Sequence, residues 1–260
     1  MYPEDAIMYN LRPETLTRRV QRNIYDAPVM MCMAPPEPKV IAVFYHGGPF
    51  GRGRTTTAER ANTTGQIYNA AQNSAEKYGR NFVGRVIAPG ATSASGVANG
   101  LSFITQHYNN GDQVILYAYS YGVDVSVDLA HTLHANNIPV SLLVTVDGSD
   151  GPAQNWTVNT SIPDNVNVNV NYYQTDDSGS SSLSRSGAAI FSSSESSQSD
   201  SGSSNSPGSN GGPNSAVNTA NVINRNVTAN GTTHGNIQQK HQAEIEQYFD
   251  DYIRYYHLYR

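Results

Sequence analysis

A chain of 260 residues with 16 Lys and Arg against 21 Asp and Glu carries a net charge of −5, and 38% of its residues are hydrophobic. That length allows one α/β domain with a sizeable core, and the acidic balance without a basic patch argues against a nucleic-acid or anionic-membrane partner. A single cysteine, Cys32, excludes an intrachain disulfide and a cysteine-rich metal site. The mean hydropathy of −0.49 is low for a folded domain of this size, and the deficit is local to residues 178–215, where Ser, Asn and Gly dominate. The start, Met1-Tyr2-Pro3-Glu4-Asp5, is acidic and lacks an apolar core of signal-peptide length. No run approaches the roughly 18 apolar residues of a membrane span. The expectation is a cytoplasmic protein of a reducing compartment, with signal-less secretion left open.

Residues 1–38 read as an irregular N-terminal extension. Within it, residues 13–20 (PETLTRRV) open a short helix, Met30, Met31 and Met33 form an apolar patch, and Pro35, Pro36 and Pro38 stop regular structure. Residues 39–45 (KVIAVFY) predict a buried strand bounded by a Gly turn. Residues 55–78 predict a long polar helix whose apolar positions are Ile67, Tyr68, Ala71 and Ala75. A second strand over 82–87 closes at Pro89-Gly90. The spacing of Val97, Leu101, Ile104 and Tyr108 predicts a helix over 93–108, ended by Asn109-Asn110-Gly111. A strand over 113–118, a helix over 121–135 and a strand over 140–146 follow, the last ending at Asp147.

Residues 166–173 alternate Val with Asn ahead of Tyr172-Tyr173, the pattern of a strand with one wet face. The Ser/Asn/Gly-rich tract then reads as a flexible insertion. A last, weak strand spans 217–227. A helix over 237–259 closes the chain on a stripe of Ile245, Phe249, Tyr252, Ile253 and Tyr256. This alternation predicts an α/β fold, a mainly parallel sheet with helices on both faces. In such a sheet reactive groups collect at the carboxyl ends of the strands.

Ala118-Tyr119-Ser120-Tyr121-Gly122 runs from an apolar strand straight into a helical pattern, which lifts Ser120 onto a sharp turn where its hydroxyl can act as a nucleophile. A serine hydroxyl needs a base, and the base an orienting acid. Five of the seven histidines, His107, His131, His134, His241 and His257, lie within or at the ends of predicted helices and read as surface or packing residues. His234 lies in the loop between the last strand and the last helix, and is the candidate base. Asp147, directly ending a strand, is the first choice of acid; Asp150, Asp176 and Asp177 are its rivals. The N–H of Tyr121 and that of Gly48 are the candidate oxyanion donors, because Pro49 has no N–H and a glycine lets substrate approach the backbone. His46 is expected to brace the loop.

His46-Gly47-Gly48-Pro49 after an early strand, the elbow at Ser120 and the late loop histidine run in the order Ser…Asp…His. Together they resemble the α/β-hydrolase superfamily of serine hydrolases, of the lipase/esterase-like kind, over roughly residues 39–258. Most members place the acid after the strand that here ends near Tyr173; a lipase-like subset places it one strand earlier, where Asp147 stands. Alanine rather than glycine opens the elbow, as in some bacterial lipases, and the Ser-rich tract interrupts the route to the histidine. The resemblance implies a three-layer α/β-hydrolase-like sandwich that cleaves carboxylic esters, on a small-molecule or lipid substrate, through Ser120, His234 and Asp147, with Gly48 and Tyr121 as oxyanion donors. Alternatives on the same fold are a thioesterase, a peptidase, an acyltransferase, or a non-catalytic binding protein that uses the Ser-rich tract. No cofactor and no metal are implied: the histidines lack paired spacing with carboxylates, and Gly51-Arg52-Gly53-Arg54 lacks the Lys-Ser/Thr of a phosphate loop. The connection over 148–165, which holds Trp156, shows no amphipathic lid pattern.

Overall fold

The structure, a computed structural model, describes residues 38–48, 62–149, 158–175, 212–218, 220–229 and 231–256. The expected short helix over 13–20, the methionine patch, residues 55–61, Trp156, Asp150, Asp176, Asp177, most of the Ser-rich tract and residues 257–260 lie outside these.

The described residues form, in chain order, β1 (Val40–Tyr45), α1 (Thr63–Lys77), β2 (Phe82–Ile87), α2 (Ser93–His107), β3 (Gln113–Tyr119), α3 (Tyr121–Ala135), β4 (Leu142–Val146), β5 (Ser161–Ile162), β6 (Val168–Tyr173), β7 (Ser215–Ala216), β8 (Asn221–Asn226) and α4 (Ile237–Arg254). Six strands form one all-parallel sheet in the order β2-β1-β3-β4-β6-β8, and β5 and β7 pair separately. All six residues of β1 are buried, as a parallel strand covered on both faces requires; it therefore reads as a continuous apolar run without alternation.

The two coverings are distinct. On one face Ile67, Tyr68, Ala71 and Ala75 of α1 and Ile245, Phe249 and Ile253 of α4 pack on Ala42, Phe44, Tyr117 and Val144. On the other, α2 and α3 bring Ile104, Val125, Leu129 and Leu133 onto Ile41, Val43, Leu116 and Leu143. The fold is thus a three-layer α/β sandwich. Asn62 caps α1 by accepting from the Gly65 N–H, and Thr92 caps α2 by accepting from Ser95. Close approach needs two glycines: a Cβ on Gly122 would stand 2.7 Å from Tyr45 Cβ, and one on Gly100 would collide with the Tyr45 hydroxyl. That hydroxyl donates to the Gly96 carbonyl at 2.8 Å, and burial pushes its pKa far above the usual phenol value, so it stays a donor. No helix among the described residues is long and apolar enough to cross a membrane.

Several expected boundaries move. The strand expected over 140–146 begins at Leu142, with Val140 making only an isolated bridge to Val166. The strand expected over 217–227 is shorter, the edge strand β8, and the two-residue β7 lies ahead of the expected span. The wet face expected on residues 166–173 is largely covered: Asn167 is exposed, but Asn169 and Asn171 are buried. The reason is that residues 212–214, at the end of the Ser-rich tract, lie over that face and satisfy it. Asn214 Nδ2 donates to Asn169 Oδ1 (2.9 Å) and Thr145 Oγ1 (3.1 Å). Asn171 Nδ2 donates to the Gly212 carbonyl (2.9 Å), and Asn169 Nδ2 to the Leu143 carbonyl (3.0 Å). An alternating Val/Asn pattern marks one polar face, and a polar face can be buried when each amide finds a partner. Asn169→Ala is expected to lower the unfolding free energy by about 1–3 kcal/mol, because it strips a buried acceptor from Asn214 and a donor from Leu143. Urea unfolding would read this as a lower midpoint at unchanged slope. The exposed Asn221→Ala should stay within about 0.5 kcal/mol of the parent.

Candidate functional site

The chain runs outward from β1 to β2, then back across β1 to β3, so the direction of strand addition reverses between β1 and β3. Crevices at such reversals, beyond the carboxyl ends of the strands, are where open parallel sheets bind ligands. His46-Gly47-Gly48 follows β1 there and Ser120 follows β3. Asp147 follows the neighbouring β4, and His234 lies between β8 and α4.

Register sets the elbow. Tyr45 is level with Ala118, and Tyr119 with Val146, so the ladder ends together; the Ser120 N–H donates to the Val146 carbonyl at 3.0 Å. Ser120 then turns with φ 55° and ψ −128°, a sparsely populated conformation for a residue with a Cβ. It sits at the N-cap of α3, a position where serine usually caps the helix with its hydroxyl, yet its side chain makes no capping bond. The hydroxyl is turned into the crevice instead. A Cβ on Gly47 would lie 2.9 Å from the Tyr119 ring and 3.1 Å from Ser120 Cβ, so a glycine is needed for the β1 loop to lie against the elbow. Gly48 has φ +80°, and no atom of the described residues lies within 4 Å of where its Cβ would stand. The Tyr121 N–H opens α3, at the positive end of its dipole. His46 is buried, and its Nδ1–H donates to the Gly47 carbonyl at 2.7 Å.

Ser120, His234 and Asp147, separated by up to 114 positions in sequence, meet here. His234 Nε2 is 2.8 Å from Ser120 Oγ, and His234 Nδ1 is 2.9 Å from Asp147 Oδ2. Asp147 is fully buried, and Ser120 and His234 are 8% exposed, which keeps bulk water off the chain. Hydrogen-bond accounting assigns the tautomer: a carboxylate only accepts, so Nδ1 carries the proton, and Nε2 of the neutral ring accepts from the Ser120 hydroxyl. Such a chain can draw the proton from the serine as its oxygen attacks, and hold the charge that develops on the imidazole.

Three further side chains complete the arrangement, and the sequence reading missed all of them. The Tyr119 ring stacks on the His234 imidazole (centroids 5.0 Å apart, 27° between planes), and its hydroxyl donates to the His234 carbonyl at 2.6 Å. That explains how a loop residue is held in place. Gln174 Nε2 donates to Asp147 Oδ2 at 3.3 Å. Ser149 Oγ lies 2.9 Å from Ser120 Oγ. Their only sequence signals are adjacency: Tyr119 precedes the elbow serine, Gln174 follows the last residue of β6, and Ser149 stands two places after Asp147. The described residues contain no group of three or more His, Cys, Asp or Glu placed to hold a metal ion.

No protein-family model matches the chain, and no curated protein matches its sequence. Among solved structures it is similar to ClbQ from the colibactin NRPS/PKS pathway, at 9% sequence identity and a TM-score of 0.42, over 85% of this chain and 99% of that one.

Proposed function

We propose that the protein is a serine hydrolase of the α/β-hydrolase type that cleaves carboxylic esters through an acyl-enzyme. The observation that carries this reading is the continuous hydrogen-bonded chain Asp147–His234–Ser120 at the carboxyl ends of a parallel sheet. Ser120 Oγ attacks the acyl carbonyl while its proton passes to His234 Nε2. The buried Asp147 carboxylate holds the imidazole in the tautomer that can accept and stabilises the imidazolium. The N–H groups of Tyr121 and Gly48 receive the oxyanion. His234 then protonates the leaving alkoxide, and in the second half it takes a proton from the water that attacks the acyl-Ser120 ester. Residues 39–258 are the catalytic domain in this reading, with residues 178–215 inserted between the strand end at Tyr173 and the base.

The test is labelling of the folded protein by a fluorophosphonate probe, with the adduct located by peptide mapping, followed by a panel of esters graded in acyl length. The expected adduct is on Ser120, with hydrolysis of at least one ester. Folded protein that takes no label would favour a hydrolase-like binding module. Turnover of thioesters or amides in preference to oxygen esters would move the substrate class while leaving the same three residues in the same roles.

A further inference from the structure

The nucleophile has a second hydroxyl neighbour. Ser149 Oγ lies 2.9 Å from Ser120 Oγ, and the Ser149 N–H donates to the Ser120 carbonyl at 3.2 Å. Ser149 is therefore tied to the elbow by backbone and side chain together. The approach depends on the residue between the acid and this serine: Gly148 is buried, and a Cβ there would press on Val123 at 3.0 Å and Val158 at 3.3 Å.

Which oxygen donates follows from the neighbours. The single hydroxyl proton of Ser120 is committed to His234 Nε2, because Nδ1 already carries the ring proton toward Asp147. Ser120 Oγ can then only accept from Ser149. A hydroxyl that accepts one hydrogen bond becomes a stronger donor in the next.

We infer that Ser149 is a fourth catalytic group: its hydroxyl donates to the attacking oxygen, selects the Ser120 rotamer that faces His234, and strengthens the Ser120-to-His234 hydrogen bond before proton transfer. The inference rests on the serine-hydrolase reading above. As the Ser120 proton passes to His234 Nε2, negative charge builds on Oγ and the Ser149 hydrogen bond to it strengthens, so the bond contributes more in the transition state than in the resting enzyme. No proton leaves Ser149, and the balance of the reaction is unchanged.

Wild-type protein, Ser149→Ala and Ser149→Thr, each checked for fold by circular dichroism, are compared in the rate of fluorophosphonate labelling and in kcat and KM on one ester. Ser149→Ala should slow labelling and lower kcat about tenfold with KM within about twofold, the size expected for one lost hydrogen bond that matters at the attacking atom. Ser149→Thr, which keeps the hydroxyl, should recover the rate to within about threefold. Labelling of Ser149→Ala at the wild-type rate overturns the inference and leaves the hydrolase reading standing. Equal losses in the alanine and threonine variants also overturn it, since packing and not the hydroxyl would then be responsible. A folded wild-type protein that takes no label overturns both.

Discussion

Ser120→Ala and His234→Ala are each expected to lower kcat by about 10⁶-fold on any ester the protein turns over, and the double variant should fall no further. The reason is that the two act as one device. Without the imidazole, the Ser120 hydroxyl keeps its proton and is a poor nucleophile at neutral pH; without the hydroxyl, the imidazole has nothing to activate. The geometry makes the pairing strict: at 2.8 Å, Nε2 and Oγ share one proton. Both variants should fold, for different reasons. Ser120 makes no capping bond to α3, so alanine removes little from the helix; the backbone bonds from the Ser120 N–H and carbonyl remain. His234 loses its stack on Tyr119, but the Tyr119 hydroxyl still finds the backbone carbonyl of residue 234. Single-turnover kinetics checks this. Losses that multiply in the double variant, or a residual rate within about a hundredfold of wild type in either single variant, would mean that the two residues do not share the proton.

The parts of this arrangement that the sequence displays are those set by local rules. β1 and β3 are legible because a parallel strand covered on both faces must be apolar throughout, and α3 because its apolar positions begin directly after a turn of small residues. Ser120, Asp147 and His234 could be nominated because each sits at a strand end or in the one loop that leads to the last helix. Other features depend on partners remote in sequence. Asn169 and Asn171 look solvent-facing until residues 212–214 cross over them, and nothing in an alternating Val/Asn run shows that a segment some forty positions later supplies the covering amide. Ser149, Gln174 and Tyr119 were missed for a related reason. Ser, Gln and Tyr are common in such places for structural reasons, and only the folded chain shows that each touches one of the three candidate residues.

The elbow also shows where local preference yields. A serine opening a helix in a strained conformation should cap that helix, and Asp147 likewise adopts a positive φ of 45° that costs a residue with a Cβ. Both departures fall at the two strand ends that bear the proposed nucleophile and the proposed acid. The six-stranded ladder supplies the constraint: the Ser120 N–H is fixed to the Val146 carbonyl and the Asp147 N–H to the Tyr172 carbonyl at 2.8 Å, so neither residue can relax without breaking a sheet bond.

Asp147→Asn is expected to lower kcat by about 10⁴-fold with little loss of fold, and the surroundings of the carboxylate explain why an isosteric amide cannot substitute. Oδ2 accepts from both His234 Nδ1 (2.9 Å) and Gln174 Nε2 (3.3 Å), while Oδ1 is buried with no hydrogen-bond partner among the described residues. An asparagine that turns its oxygen toward His234 and Gln174 keeps the tautomer, but buries an NH₂ where nothing described accepts from it, and it no longer carries the charge that stabilises the imidazolium. An asparagine turned the other way satisfies neither donor: its NH₂ faces the Gln174 amide and forces Nδ1 to become an acceptor, which moves the ring proton to Nε2 and leaves Ser120 with no base. Both orientations fail at proton transfer and neither touches substrate, so the loss should appear in kcat with KM within a few-fold. Asp150→Asn, Asp176→Asn and Asp177→Asn should each retain turnover within a few-fold. If one of these lost activity by orders of magnitude while Asp147→Asn kept it, the acid role would pass to that residue, and the bond between Asp147 and His234 would serve only to hold the loop.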